Sequence, residues 1–277
     1  MTTTMINLIH QAELDTLKAF VKVCEQLGLP YIATGGTLLG AIRHHGFIPW
    51  DDDLDVAMLR SDYETFLAKA PEILASQPYF LQTPPFSDEN YGLSYAKLLN
   101  QHTFIEEKNN VNYARKGVFL DIFPLDQIPD STSQLRKQLS DIHRLDNRLL
   151  LKLHYNVIDT PMRHLMSELS TEQRQTVLDL KKRRLALMQQ YNSNNITPDT
   201  QFKNLASQYS YDKEIMNYHQ ITDTELVPFE DMLLNVSSDY NNILISLYGD
   251  YMALPPESQQ TAKHINHLIV NNQEYFA

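Results

Sequence analysis

Apolar residues recur along the first half of the chain at two different periods, and each change of period marks an element. Ile6, Ile9, Leu14, Leu17, Phe20, Val21, Cys24 and Leu27 keep close to helical spacing, which predicts a helix over residues 6–27. Gly28 stops it and Pro30 follows, as expected just past a helix end. Tyr31-Ile32-Ala33 reads as a short strand and Thr37 to Arg43 as a short helix. Residues 53–58 read as a strand, with Leu54 and Val56 facing one way and Asp51, Asp53 and Asp55 the other. Ser61 is a candidate cap for a helix over 62–75, whose first turn holds Asp62 and Glu64. From Tyr79 to Phe123 the period falls to two, with strands expected at 79–82, 93–99, 103–107 and 117–123.

Beyond Pro129 the pattern is long and helical again, over 131–155 and 160–192. A polar linker follows at 192–200, then short helices and the segment LYGDYMALPP at 247–256. This order describes an α+β unit over 1–129, with a mainly helical region over 130–277 packing on it and closing its site.

Composition narrows the function. A chain of 277 residues, 43% hydrophobic and 21% charged, has the make-up of a soluble globular protein with a large core. A net charge of −11 leaves no basic excess to coat a nucleic acid, although it does not exclude a small nucleotide accompanied by a metal. The single cysteine, Cys24, excludes an internal disulfide and a cysteine-rich zinc site, and is expected as a small buried hydrophobe. No signal-peptide pattern opens the chain and no continuous apolar run is long enough to span a bilayer. The expected location is cytoplasmic, with attachment to the inner face of the membrane only through an acceptor. Lys181-Lys182-Arg183-Arg184 is expected as a solvated helix face.

The chemistry concentrates in GGTLLGAIRHHGFIPWDDDLDVAM, residues 35–58. Glycines let backbone N–H groups approach an anion closely. Carboxylates two apart on a strand share a face, with Cα atoms roughly 6.5–7 Å apart, a span that one divalent cation can bridge. Asp121, in the otherwise apolar run GVFLDIF, is either a paired or metal-bound buried acid or an acid at an exposed strand end. With Asp53 and Asp55 it completes a three-carboxylate set: two to hold metal, the third to help or to take a proton from an attacking hydroxyl.

Competing readings of the block fail on detail. An EF-hand loop starting at Asp51 would carry Val56 where glycine is needed and Asp62 where glutamate is. No Gly-Lys-Ser/Thr follows the glycines, and their spacing is wrong for a dinucleotide fingerprint. Arg43 is a candidate phosphate contact or the ion-pair partner of a nearby aspartate. His44 and His45 lack metal-ligand spacing and are expected in structural or surface roles, and Trp50 is expected behind the acidic strand or stacked on a base.

The whole block resembles the LicD family signature. Ala96-Lys97 with Thr103, GVFLDIFPLD at 117–126, LYGDYMALPP at 247–256 and His264 follow in that family's order, so the resemblance spans nearly the full chain and is weakest over 130–220. It implies a nucleotidyltransferase-like mixed sheet with flanking helices, and an enzyme that transfers phosphorylated alcohols. The implied donor is CDP-choline or another CDP-alcohol carrying ribitol or glycerol, and the acceptor a glycan or glycolipid such as teichoic acid. The implied metal is Mg²⁺ or Mn²⁺ on Asp53, Asp55 and Asp121; the zinc-site cysteines of a fukutin-related protein are missing, so no zinc is expected.

Gly35, Gly36 and Thr37 would hold donor phosphates. Lys97 would meet a phosphate and His264 close the site, or each would be a buried pairing residue. A quaternary ammonium demands an aromatic or acidic cage; among fifteen tyrosines, Tyr248 and Tyr251 stand out only because their segment belongs to the family pattern. Two rivals remain: a nucleotidyltransferase that moves the nucleoside monophosphate, and a non-catalytic glycan-binding protein.

Overall fold

The computed structural model describes residues 2–84, 87–108, 112–155, 168–207, 209–262 and 264–277. Helix α1 (Thr3–Leu27) begins where the Thr2 hydroxyl accepts the Met5 N–H, and it ends at Gly28 in the left-handed region (φ 65°). The helix starts earlier than its apolar spacing predicts because that cap lets Met5 begin the buried stripe that runs on through Ile9, Leu17, Phe20 and Cys24. Cys24 is buried, as expected.

The site is set by one mixed sheet. Its order is β1 (Ile32–Ala33), β2 (Asp55–Leu59), β6 (Phe119–Gln127), β4 (Ala96–Asn100), β3 (Tyr79–Gln82). β2 and β6 are parallel and the other pairs antiparallel. The register puts Asp55 opposite Asp121, and Asp121 opposite Lys97 on the other side, so three charged residues sit in one row across neighbouring strands. Apolar neighbours on these strands, Val56, Ala57, Leu98, Leu120 and Ile122, lie in the main core with α1, α2 (Gly35–His44) and α3 (Arg60–Ile73). Burying each large aliphatic side chain there contributes about 1.5–3 kcal/mol.

β6 runs longer than the predicted 117–123 strand and passes through Pro124. The proline is accommodated where β6 changes partner on one side: β4 pairs with residues 119–122 and β7 (Gln201–Asn204) with 125–127. β8 (Ile215–Asn217) extends that arm, and β5 (Thr103–Glu107) forms a separate sheet with β11 (Ile265–Val270) and β12 (Gln273–Phe276). β9 (Thr224–Phe229) and β10 (Met232–Ser237) form a hairpin against β1.

Several boundaries differ from the sequence expectation. β2 starts at Asp55, so Asp51 and Asp53 lie on the approach to the strand and not within it. α2 begins at Gly35, making the glycine pair its first turn. α3 begins at Arg60, so Ser61 lies inside it and does not cap it. β4 covers 96–100 where 93–99 was expected.

Among the described residues, α4 (Thr132–Lys152) and α5 (Thr171–Met188) are the two long helices of the second half, packed through Leu139, Ile142, Leu149, Val177, Leu180 and Met188. The expected helical stretch at 160–167 lies outside the described residues. Among the described residues from 201 onward, six strands accompany the short helices α6 (Tyr218–Thr222) and α7 (Tyr240–Tyr248), far more β-structure than the sequence pattern suggests.

The basic run on α5 is only half solvated. Lys182 and Arg183 are exposed, but Lys181 donates to the carbonyls of Asp88 and Glu89, and Arg184 to Gly92, Leu93 and the Asp146 carboxylate. These two buried cations tie α5 to the loop between β3 and β4.

Candidate functional site

Ten of the eleven side chains or glycines singled out in the sequence line one cavity of about 880 Å³: Gly35, Gly36, Arg43, Asp53, Asp55, Lys97, Asp121, Tyr248, Tyr251 and His264. Thr37 does not reach it. Its buried hydroxyl accepts the Asp55 N–H at 2.7 Å, which fixes the start of β2 against α2.

Asp51, Asp53, Asp55 and Asp121 form an acidic wall. Burial pushes the Asp51 carboxyl up to about 8, helped by repulsion from Asp53 and Asp52. Asp121 rises to about 7 through burial, opposed by the ammonium of Lys97. Asp53 is raised by burial too, and Asp55 is raised strongly by burial and its acidic neighbours. So many carboxyls in so little space cannot all ionise unless a cation balances them.

The glycine pair makes this crowding possible. A Cβ on Gly35 would stand 2.8 Å from an Asp55 carboxylate oxygen, and one on Gly36 would stand 2.4 Å from Asp51. Gly35 also has φ +55°, which a side chain disfavours.

Lys97 is buried between Asp121 at 3.4 Å and Glu107 at 3.7 Å, with its ammonium 3.2 Å from the centre of the Phe119 ring. Asp121 is therefore a buried, paired acid and not an exposed strand end, yet its Oδ1 has no hydrogen bond of good geometry. Among the described residues Arg43 forms no ion pair with an aspartate, and it lines the cavity where a phosphate contact would be made. Its guanidinium donates to the carbonyls of Tyr251 and Ala253, holding the 251–253 loop at the cavity edge. His44 accepts from Arg43 and meets Trp50 edge-on, while Trp50 lines the cavity as well as packing on the core.

Asp52 escaped the sequence reading. It points away from its neighbours into the protein, where it accepts the backbone N–H groups of His264 and Ile265 and the His264 ring at 2.9 Å. Burial alone would raise its carboxyl, but these hydrogen bonds bring it below the usual range. The same bond lifts His264 to about 9, so the imidazole is cationic at neutral pH, 3.8 Å from Asp53. One buried carboxylate thus carries His264 from the far end of the chain to the acidic wall. Tyr95, Glu107, Phe123, Tyr209 and Glu214 also line the cavity, and no local pattern announces them.

All the candidate ligands on the wall are carboxylate oxygens, the donors that hard divalent cations prefer. The unbonded Oδ1 of Asp121 and the glycines cut away beside Asp51 and Asp55 fit such an ion. Among the described residues no three His, Cys, Asp or Glu side chains already converge as a ligand set, so the fit is one of chemistry.

Residues 28–144, which contain both glycines, the acidic block, Lys97 and Asp121, match the nucleotidyltransferase domain of LicD/FKTN/FKRP proteins. The chain is 29% identical over 258 residues to the lipopolysaccharide cholinephosphotransferase LicD of Haemophilus influenzae, covering 91% of this chain and 93% of that protein. It is 44% identical over 48 residues to the ribitol 5-phosphate transferase FKRP of human and of mouse, 17% of this chain and 10% of either relative. With a matching domain around the acidic wall and near full-length similarity to a transferase, the chain carries a LicD-family domain and is a phosphotransferase.

Proposed function

We propose that this chain transfers phosphocholine from CDP-choline to a sugar hydroxyl of a cell-surface glycan, lipopolysaccharide or teichoic acid, and releases CMP. The single observation that carries this reading is the wall of Asp51, Asp53, Asp55 and Asp121 in one cavity with Lys97 and His264. The near full-length similarity to a lipopolysaccharide cholinephosphotransferase supports the cargo.

The acceptor hydroxyl attacks the phosphorus that bears choline, a new P–O bond forms, and the bond to the CMP oxygen breaks in line with it. Asp121, near neutral in its proton affinity, takes the hydroxyl proton. Lys97 holds Asp121 in place and offers positive charge to the phosphoryl oxygens. The cationic His264 faces the same space and neutralises charge on the departing nucleotide. Asp53 and Asp55, with Asp121, would hold Mg²⁺ or Mn²⁺, which supplies further neutralisation of the phosphates. No helix among the described residues is long and apolar enough to cross a membrane.

The test is CMP release from CDP-choline, CDP-ribitol and CDP-glycerol with a glycan acceptor, followed by ³¹P analysis of the product. Release from CDP-choline with phosphocholine on the glycan is the expected result. The local similarity to ribitol 5-phosphate transferases favours a second reading, in which CDP-ribitol is the donor. A nucleoside monophosphate on the product would replace both with nucleotidyl transfer.

A further inference from the structure

One stretch of the cavity wall takes no part in the phosphoryl chemistry. Tyr209 lies between β7 and β8, Glu214 immediately precedes β8, and Tyr248 ends α7; all three line the cavity. The Tyr209 and Tyr248 hydroxyls are 3.2 Å apart, so one donates to the other.

Glu214 is held at φ 54°, a backbone region that side chains disfavour. Its Oε2 is buried without a hydrogen-bond partner among the described residues. Ser207 hydrogen-bonds the carboxyl, and the nearby Lys203 ammonium donates instead to the Lys213 carbonyl. A strained residue with an unsatisfied buried oxygen persists only where something else gains from it.

The chemistry of this corner is selective. A polyol needs donors and acceptors matched to each hydroxyl, and a primary ammonium needs acceptors in hydrogen-bond geometry. A quaternary ammonium has no N–H and asks only for ring surface and uncompensated negative charge. Two tyrosine rings supply the surface, and Glu214 supplies a carboxylate oxygen without a hydrogen bond, its charge offset in part by the nearby Lys203. The corner is also electronegative: burial raises both tyrosine hydroxyls, with Glu214 and then Asp55 and Asp51 adding at Tyr209, and Tyr209 and then Asp55 and Asp51 adding at Tyr248.

We infer that Glu214, with Tyr209 and Tyr248, is the specificity-determining subsite for the trimethylammonium head of the transferred alcohol, and that it discriminates against polyol cargo. This rests on the reading of the chain as a CDP-choline-dependent transferase.

The test is calorimetric binding of CMP, CDP-choline and CDP-glycerol to the full chain and to Glu214→Gln, beside CMP release by the unaltered chain. The unaltered chain is expected to bind CDP-choline about tenfold more tightly than CDP-glycerol, and Glu214→Gln to lose most of that ratio while binding CMP as before. If Glu214→Gln does not fold, Tyr209→Leu replaces it and must lower the same ratio. A ratio unchanged in the variant, with CMP bound normally and CDP-choline turned over by the unaltered chain, overturns this inference and leaves the transferase reading standing. No CMP release from CDP-choline by the unaltered chain, with another donor turned over, overturns the choline reading and this inference with it.

Discussion

Asp121 and Asp126 lie five residues apart on the same strand, both buried, and the protein treats them in opposite ways. Asp126 is saturated: Arg60 meets it twice, at 2.8 and 2.5 Å, and Asn192 donates to it at 2.7 Å. Asp121 has a buried lysine at ion-pair distance, a row of other carboxyls beside it and an oxygen with no hydrogen bond. A buried charge whose every bond is filled ties elements together, here α3, β6 and the segment after α5. A buried charge left under-filled destabilises the fold, and its retention in a cavity points to chemistry.

The comparison breaks most sharply on the same substitution at the two positions. Asp121→Asn should reduce CMP release about a thousandfold, roughly 4 kcal/mol of transition-state stabilisation, with cooperative melting retained. Asp126→Asn should cost about 3 kcal/mol of stability by leaving the Arg60 charge short of its partner, measured by urea unfolding, with little change in activity per folded molecule. Equal effects of both changes on melting would erase the distinction.

Gly35→Ala probes the crowding itself. Its methyl would meet Asp55 in a backbone region that costs an L-residue about 1–2 kcal/mol, so stability should fall by that amount and activity by more. Kinetics and melting on the same preparation separate the two losses.

The pH dependence sharpens the acidic side further. Asp51 and Asp121 are raised in the folded state, so their contribution to stability is present below about 3.8 and is lost as pH rises through about 7 and 8. His264, raised to about 9, acts in the same direction, its contribution present below 6.5 and lost through 9. The metal-free protein should therefore melt several degrees lower at pH 8.5 than at pH 5.5, and added Mg²⁺ should recover more of the difference at the higher pH. The smallest expected effect is at Thr37→Val, which removes the acceptor for the Asp55 N–H and should cost about 1 kcal/mol by urea unfolding.

Much of this was legible in the chain. The alternation of apolar and acidic residues through Asp55 and the apolar run around Asp121 placed both acids near one sheet, because side-chain direction along a strand is a local property. The α+β class followed from the same periodicities. What stayed hidden depends on pairings far apart in sequence. Asp52 looks like one more acid of the run, and only the arrival of His264 and Ile265 from 212 and 213 residues away gives it a role. Glu214 and Tyr209 reach the cavity because β7 pairs with the end of β6, which no local pattern encodes. The late strands were missed for a related reason: β9 is mostly exposed and shows no apolar alternation, so its pairing with β10 is what makes it a strand. Lys181 and Arg184 look solvated in the sequence because most of their acceptors, the carbonyls of residues 88–93, are unmarked by side-chain type.

The measurement that tests the central claim most directly is Mg²⁺-dependent CMP release from CDP-choline, with acceptor glycan, by the unaltered chain and by Asp53→Asn, with thermal melting of both. The account predicts release by the unaltered chain, its loss in Asp53→Asn, and equally cooperative melting. Equal release by the two proteins, or loss of cooperative melting in Asp53→Asn, would contradict the claim that the acidic wall is kept for chemistry and not for the fold.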